Sequence, residues 1–295
     1  MSKTRVAALV GPTAVGKTDL SLQLAERLNA EIVSVDSMQV YEGMDIGTAK
    51  VSPEDQARVP HHLLDIRPPG HDLTVAEFQS LARTAIEEIS TRGKLPLLVG
   101  GSGLYLRAVI DELEFPARSL EVREALEFEA EKLGAEALHE RLREVDPKAA
   151  ARIEPGNARR TVRALEVIEL TGRPFSENDA WERYESIYDV TIAGLTRDRS
   201  DLYARVGQRV DKMLERGLVD EVKRLEPKMG RTARQALGYR QVLESEPKAL
   251  RDDIVRATKR FARRQESWFK SDPRVNWFDA AEPDLLERVA AYLEG

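Results

Sequence analysis

The densest chemistry in the chain lies near its start, in Gly11, Pro12, Thr13, Ala14, Val15, Gly16, Lys17 and Thr18. The spacing G-x-x-x-x-G-K-[ST] suits phosphate. Gly11 and Gly16 let the backbone fold so that its N–H groups converge on oxygens, Lys17 adds a positive charge, and the Thr18 hydroxyl is the usual Mg2+ ligand. The loop falls between an apolar run, 5–10, and a stretch of helical character from Asp19, the context that separates a phosphate loop from a mere glycine-rich turn. It fits a diphosphate or a triphosphate and does not specify ATP. Asp36 follows the next apolar segment, 31–35, at the strand end where open α/β sheets meet ligands. It can serve as a magnesium ligand, as a general base, or as a turn aspartate. A second glycine turn, Gly100 to Gly103, follows the buried run 95–99 and offers Ser102 to the same ligand, with a plain tight turn as the alternative.

These groups need parallel strands to hold them. Segments 5–10, 31–35, 95–99, 189–195 and 275–278 read as strands. Residues 74–92 read as a helix: Thr74 and Glu77 suggest a capping box, Phe78, Leu81, Ala82, Ala85, Ile86 and Ile89 form one face, and Gly93 ends it. From 114 to 187 helical patterns replace strands, over 119–133, 135–145 and 158–171, with Gly134 and Asp146-Pro147 as punctuation. Helices are expected again near 200–216, 218–226, 232–244, 248–271 and 283–293. The expected fold is α/β: a P-loop NTPase-like parallel-sheet core from 1–113 and 188–295, with an inserted all-helical domain over 114–187.

Composition narrows the function. The 295 residues are 42% apolar and 33% charged, which is globular. A formal charge of −6 argues against an indiscriminate polycation, while 33 arginines against 12 lysines favour bidentate phosphate contacts. The absence of cysteine removes disulfides, zinc–thiolate and iron–sulfur sites and thiol nucleophiles. His61, His62, His71 and His139 have no metal-ligand spacing. The six-residue N-terminal apolar run is too short for a signal peptide, and no apolar stretch approaches membrane length, so the expectation is a cytoplasmic protein with no membrane partner. Two basic clusters stand out. One is Arg159, Arg160 and Arg163; the other is 251–270, with seven basic and three acidic residues. Arg256, Arg260, Arg263 and Arg264 share a helix face, with Trp268 and Phe269 beside them. Charge alone allows a solvated face or a polyanion contact.

Longer matches now carry a resemblance. GPTAVGKT at 11–18, DSMQVYEGMDIGTAK at 36–50, GGSGLYL at 100–106, NARRTVRALEV at 157–167, RGLVDEV at 216–222, ALGYRQ at 236–241 and RRQESWF at 263–269 resemble the bacterial tRNA dimethylallyltransferase (tRNA isopentenyltransferase) family. The resemblance implies transfer of a dimethylallyl group from dimethylallyl diphosphate to N6 of the adenosine 3′ of the anticodon, with Mg2+ as cofactor. The glycine loop would then hold a prenyl diphosphate, Thr18 the metal, and Arg209 a second diphosphate contact. Asp36 matches the family's general base, and Thr13, Lys17 and Ser102 join it as catalytic residues; most relatives have threonine where Ser102 stands. Contacts to the tRNA anticodon stem-loop would come from Asp36, Ser37, Met38, Gln39, Ser102, Arg123, Arg159, Arg160, Thr161, Val162 and Arg163. Gln235, Gly238, Tyr239, Arg240, Arg263, Arg264, Gln265, Trp268 and Lys270 complete that expected surface. The helical insertion would bind tRNA. On oligomeric state the sequence is silent, and a monomer is the default expectation. The competing readings are a P-loop small-molecule kinase, prenylation of free adenine nucleotides, and a non-catalytic RNA-binding protein.

Overall fold

The computed structural model describes residues 3–116, 118–177 and 183–295. The chain runs β1 (Arg5–Val10), α1 (Lys17–Arg27), β2 (Ala30–Ser34), α2 (Pro53–Arg58), β3 (His61–His62), α3 (Val75–Thr91), β4 (Leu95–Gly100) and α4 (Gly103–Ile110). Then come α5 (Leu120–Leu133), α6 (Ala135–Val145), α7 (Pro147–Arg152) and α8 (Ala158–Thr171). It continues with β5 (Asp189–Thr196), α9 (Arg199–Glu215), α10 (Leu218–Leu225), α11 (Arg231–Arg234), α12 (Tyr239–Glu244), α13 (Leu250–Lys270), β6 (Val275–Asp279) and α14 (Leu285–Glu294). Two compact units result, one from 1–112 with 185–295 and the other from 113–184.

Among the described residues of the first unit, six parallel strands form one sheet in the order β3-β2-β4-β1-β5-β6. The fold is α/β, as its strand and helix patterning implies. β1 shows why. It pairs β4 on one side and β5 on the other, and Val6 to Val10 are at most 1% exposed, the burial on both faces typical of a covered parallel sheet. Its alternate side chains feed different cores. Val6, Ala8 and Val10 pack with Phe78, Ile86 and Ile89, whereas Ala7 and Leu9 pack with Leu20, Leu24 and Val289. Every ligand-facing loop at the carboxyl ends of β1, β2 and β4 therefore hangs from one rigid layer. No helix among the described residues is long and apolar enough to cross a membrane.

Local chemistry explains the departures from expectation. The two-residue β3 is too short to show periodicity, and α2 begins at Ser52, whose hydroxyl accepts from Asp55 N, with Pro53 at the first helical position. The capping box at Thr74 is half formed. Thr74 Oγ1 accepts from Glu77 N at 3.1 Å, but the Glu77 carboxylate pairs with Arg67 and His71 instead. The helix expected over 232–244 divides into α11 and α12, because Gly238 turns at φ +89°.

In the second unit Leu126, Leu138, Leu142, Ile153, Val162 and Leu165 form the apolar centre of α5 to α8. Asp146-Pro147 does not simply end α6: it starts α7, with Asp146 Oδ1 accepting from Ala149 N at 3.0 Å and proline at the first position. His139 is buried there, and its Nε2 donates to the carbonyls of Ala150 (3.1 Å) and Ile153 (2.8 Å).

Candidate active site

The glycine loop closes over the end of β1 by three left-handed backbone turns, at Gly11 (φ +146°), Ala14 (φ +65°) and Gly16 (φ +114°). Gly11 is required twice over, since a Cβ there would also lie 2.7 Å from the Leu195 carbonyl on β5. Gly16 caps α1 with no side chain, which leaves the N–H groups of the first turn free to meet an anion. Lys17 Nζ curls back and donates to the carbonyls of Gly11 and Pro12, both at 2.8 Å. Burial first, and then the charge of Arg209, pushes the Lys17 ammonium down to about 7, against the pull of Asp36.

The loop lines a cavity of about 630 Å³ that also takes Asp36, Ser102, Arg209, Gln235 and Arg264. Thr13, Ala14, Gly16, Lys17 and Thr18 face it, with Ser37, Met38 and Gln39 on the far wall, while Gly11, Pro12 and Val15 are buried beneath. The cations are more numerous than expected. Arg205, Arg209, Lys212 and Arg216 lie at i, i+4, i+7 and i+11, so one face of α9 turns four positive side chains toward the cavity. The i, i+4, i+7, i+11 spacing is already present in the sequence. Arg205 Nε also donates to the Ala14 carbonyl at 2.9 Å and so braces the loop.

Asp36 sits past the end of β2, with Oδ1 accepting from Met38 N at 2.8 Å in a local turn. Gln39 is held at both ends of its amide. Ser34 Oγ donates to its Oε1 (2.9 Å), and its Nε2 donates to the Thr48 carbonyl (3.3 Å). The wall 46–49 is fixed from behind by Glu221 on α10. This buried carboxylate accepts from the N–H groups of Asp45 (3.1 Å), Ile46 (2.9 Å) and Gly47 (3.1 Å) and from the Tyr239 hydroxyl. Gly47 must be glycine, because a Cβ would meet the Tyr239 ring at 2.3 Å. Glu221 lies in the matching stretch RGLVDEV, but nothing in that stretch marks it as the partner of this wall.

Five residues expected on the RNA surface are turned inward instead. Tyr239 is fully buried, its hydroxyl given to Glu221 and its ring to Gly47. Thr161 and Val162 are 0% and 2% exposed, on the inner face of α8. Gln265 is 6% exposed, with Oε1 accepting from Thr13 N (2.9 Å) and Nε2 donating to the Gly101 carbonyl (3.0 Å). Its position on the stripe Ile254, Thr258, Ala262, Gln265 and Phe269 marks it as an inward residue of α13. Gly238 is buried as well and serves the α12 turn.

Most of the remaining members are outward, while Arg123 and Arg163 are half-buried. Arg263 and Arg264 are exposed, Arg263 beside a smaller pocket with Arg197, Arg199 and Tyr203. Arg240 pairs with Glu244 (2.8 Å), Lys270 with Glu266 (2.6 Å), and Trp268 lies against Gly103. In the second unit Arg159 and Arg160 are exposed in the first turn of α8, Arg123 pairs with Glu127 (3.0 Å), and Arg163 pairs with Glu166 (2.8 Å).

The depressed Lys17 value has a measurable consequence. A diphosphate beside Lys17 favours the ammonium, so binding raises its pKa above about 7. Affinity is then full below pH 7 and falls as pH rises between the free and bound values. Calorimetric titration with pyrophosphate at pH 8, repeated in buffers of different ionisation enthalpy, should show proton uptake approaching one per site beyond that of Lys17→Gln. Equal uptake by the two proteins would show that Lys17 gains no proton when the anion binds.

The IPP transferase family model matches residues 39–272. A tRNA dimethylallyltransferase of Streptomyces avermitilis is 53% identical over 96% of this chain and 93% of its own length. That of Geobacillus thermodenitrificans is 45% identical over 99% and 96%. The crystal structure of the full-length tRNA isopentenylpyrophosphate transferase of Bacillus halodurans matches with TM-score 0.72 and 44% identity, over 99% of this chain and 97% of that one. A eukaryotic dimethylallyltransferase acting on tRNA matches with TM-score 0.81 and 27% identity, over 98% and 77%. The chain belongs to the IPP transferase family and is a prenyltransferase.

Proposed function

We propose that the protein transfers the dimethylallyl group of dimethylallyl diphosphate to N6 of the adenosine 3′ of the anticodon in tRNA. The carrying observation is that a glycine loop of the form G-x-x-x-x-G-K-T, a stripe of cations and Asp36 line one cavity. In the reaction the allylic C–O bond breaks and pyrophosphate leaves with the electron pair, while the N6–C bond forms and N6 gives up a proton. Lys17, Arg209 and the N–H groups of the loop neutralise the growing charge on the leaving group. Thr13 and Ser102 supply hydroxyls around the diphosphate and the base. Asp36 takes the N6 proton, a role worth roughly 10²–10⁴-fold for a positioned base. Its carboxylate and the Thr18 hydroxyl face the same cavity, hard oxygen donors of the kind Mg2+ takes. Held by Thr18, the ion would add Lewis-acid stabilisation of pyrophosphate.

An anticodon-loop adenosine must leave its stack to enter the cavity, at a cost of a few kcal/mol. The exposed arginines Arg263 and Arg264 suit the phosphates around it, and the unit 113–184, with its own exposed Arg159 and Arg160, is proposed to bind the stem-loop. Action as a monomer is part of this proposal. Neutralising Arg263 and Arg264 together should weaken stem-loop binding and flatten the slope of log K against log salt by about 0.7–0.9 per lost phosphate contact. An unchanged slope, measured by fluorescence anisotropy across a salt series, would return that face to solvent.

The function itself is tested with labelled dimethylallyl diphosphate, Mg2+ and a synthetic anticodon stem-loop, with AMP and ATP as parallel acceptors. Label in the stem-loop alone, lost when the target adenosine becomes guanosine, is the expected result. Label in AMP or ATP would move the acceptor to free nucleotides. ATP turnover without label would favour a kinase.

A further inference from the structure

The glycines of the second turn are demanded by a helix. A Cβ on Gly101 would lie 2.1 Å from Gln265 Nε2, and one on Gly103 would lie 1.9 Å from Trp268 Cδ1. α13 therefore seats two side chains directly on the main chain of residues 101–103, with no side chain between. Gln265 then reaches across to the other glycine loop. Its Oε1 accepts from Thr13 N at 2.9 Å and its Nε2 donates to the Gly101 carbonyl at 3.0 Å. One buried amide thus bridges the end of β1 to the end of β4, between Thr13 and the residue preceding Ser102. An amide is the right group here, since it must accept on one side and donate on the other; a carboxylate or an amine could do only one.

We infer that Gln265 is a positioning residue that sets the separation of the two glycine loops, and with it the placement of Thr13 and Ser102 about the diphosphate. The inference rests on the proposed prenyl transfer for the roles of those hydroxyls, but the bridge concerns the anion loop whatever the acceptor. A positioned site loses on the order of 10²-fold when its groups shift by about 1 Å. Two neutral hydrogen bonds also contribute modestly to stability, so kinetics and stability can be separated.

The test is Gln265→Met, which keeps the volume and removes both bonds, with Gln265→Asn as a second variant whose amide is too short to span the gap. In the Mg2+-supplemented full chain, both should lower kcat at least tenfold while the KM for the stem-loop stays within threefold. Pyrophosphate alone should bind at least fivefold more weakly by calorimetry. In a Thr13→Ala/Ser102→Ala background, Gln265→Met should cost less in kcat than in wild type, because the hydroxyls it positions are gone while the loop N–H groups remain. Unchanged kcat and pyrophosphate affinity in folded variants would overturn the inference. So would costs that multiply in full across the two backgrounds, or a raised stem-loop KM with kcat retained, which would make Gln265 an RNA contact. If the wild type transfers no prenyl group, the function fails, and pyrophosphate binding by the variants still decides the bridge.

Discussion

Asp36→Ala is expected to cut prenyl transfer by about 10²–10⁴-fold, with stem-loop affinity within threefold of wild type. The exocyclic amine of adenine is a weak nucleophile because its lone pair is delocalised into the ring, so loss of a proton acceptor falls on the chemical step. Asp36 also has a local role, since its Oδ1 accepts from Met38 N at 2.8 Å. Asp36→Asn separates the two. Asparagine keeps an oxygen for Met38 N and therefore the turn, but it has no basicity. Equal losses in the alanine and asparagine variants, read as single-turnover rates, would assign the effect to the carboxylate's charge and basicity and not to the turn. Near-wild-type turnover in Asp36→Asn would leave Asp36 a turn residue and remove the base.

Glu221→Leu is expected to destabilise the fold by about 3–5 kcal/mol, a large share of a typical 5–15 kcal/mol total. The carboxylate accepts from the N–H groups of Asp45, Ile46 and Gly47 and from the Tyr239 hydroxyl, and leucine leaves all of them without that acceptor. Glu221→Gln should cost less, about 1–3 kcal/mol, because one oxygen remains while its NH2 faces groups that also donate. Activity should fall in both, since the same N–H groups hold the wall that carries Thr48, and Thr48 holds Gln39. Urea unfolding reads the stability. A Glu221→Leu protein within 1 kcal/mol of wild type would mean that water satisfies the wall unaided.

What could be read beforehand follows a physical rule. β1, β2 and β4 were legible because strands buried on both faces write themselves as unbroken apolar runs, and the glycine loop because phosphate demands residue types at fixed spacing. β3 was hidden because two residues have no period, and α7 because an Asp-Pro pair looks the same whether it stops one helix or begins the next. At the site, the direction of a side chain was the harder matter. Tyr239, Thr161 and Gln265 lie in motifs that pointed to RNA, yet each faces inward, and helix periodicity would have told so for Gln265. Glu221 and the wall it holds are 174–176 residues apart in the chain, and no local pattern announces such a pairing.

The order of the strands in the sheet also sets an order in time. β1 is made first but is flanked by β4 and β5, so its second edge stays open until Asp189–Thr196 has been synthesised. At roughly 5–20 residues per second, a nascent chain carries that apolar edge unpaired for about 10–40 s. The intervening residues 113–184 have a hydrophobic centre of their own and can compact during the wait. The first strand made therefore waits longest for its second neighbour, which leaves the newborn chain open to chaperones at the segment that carries the glycine loop.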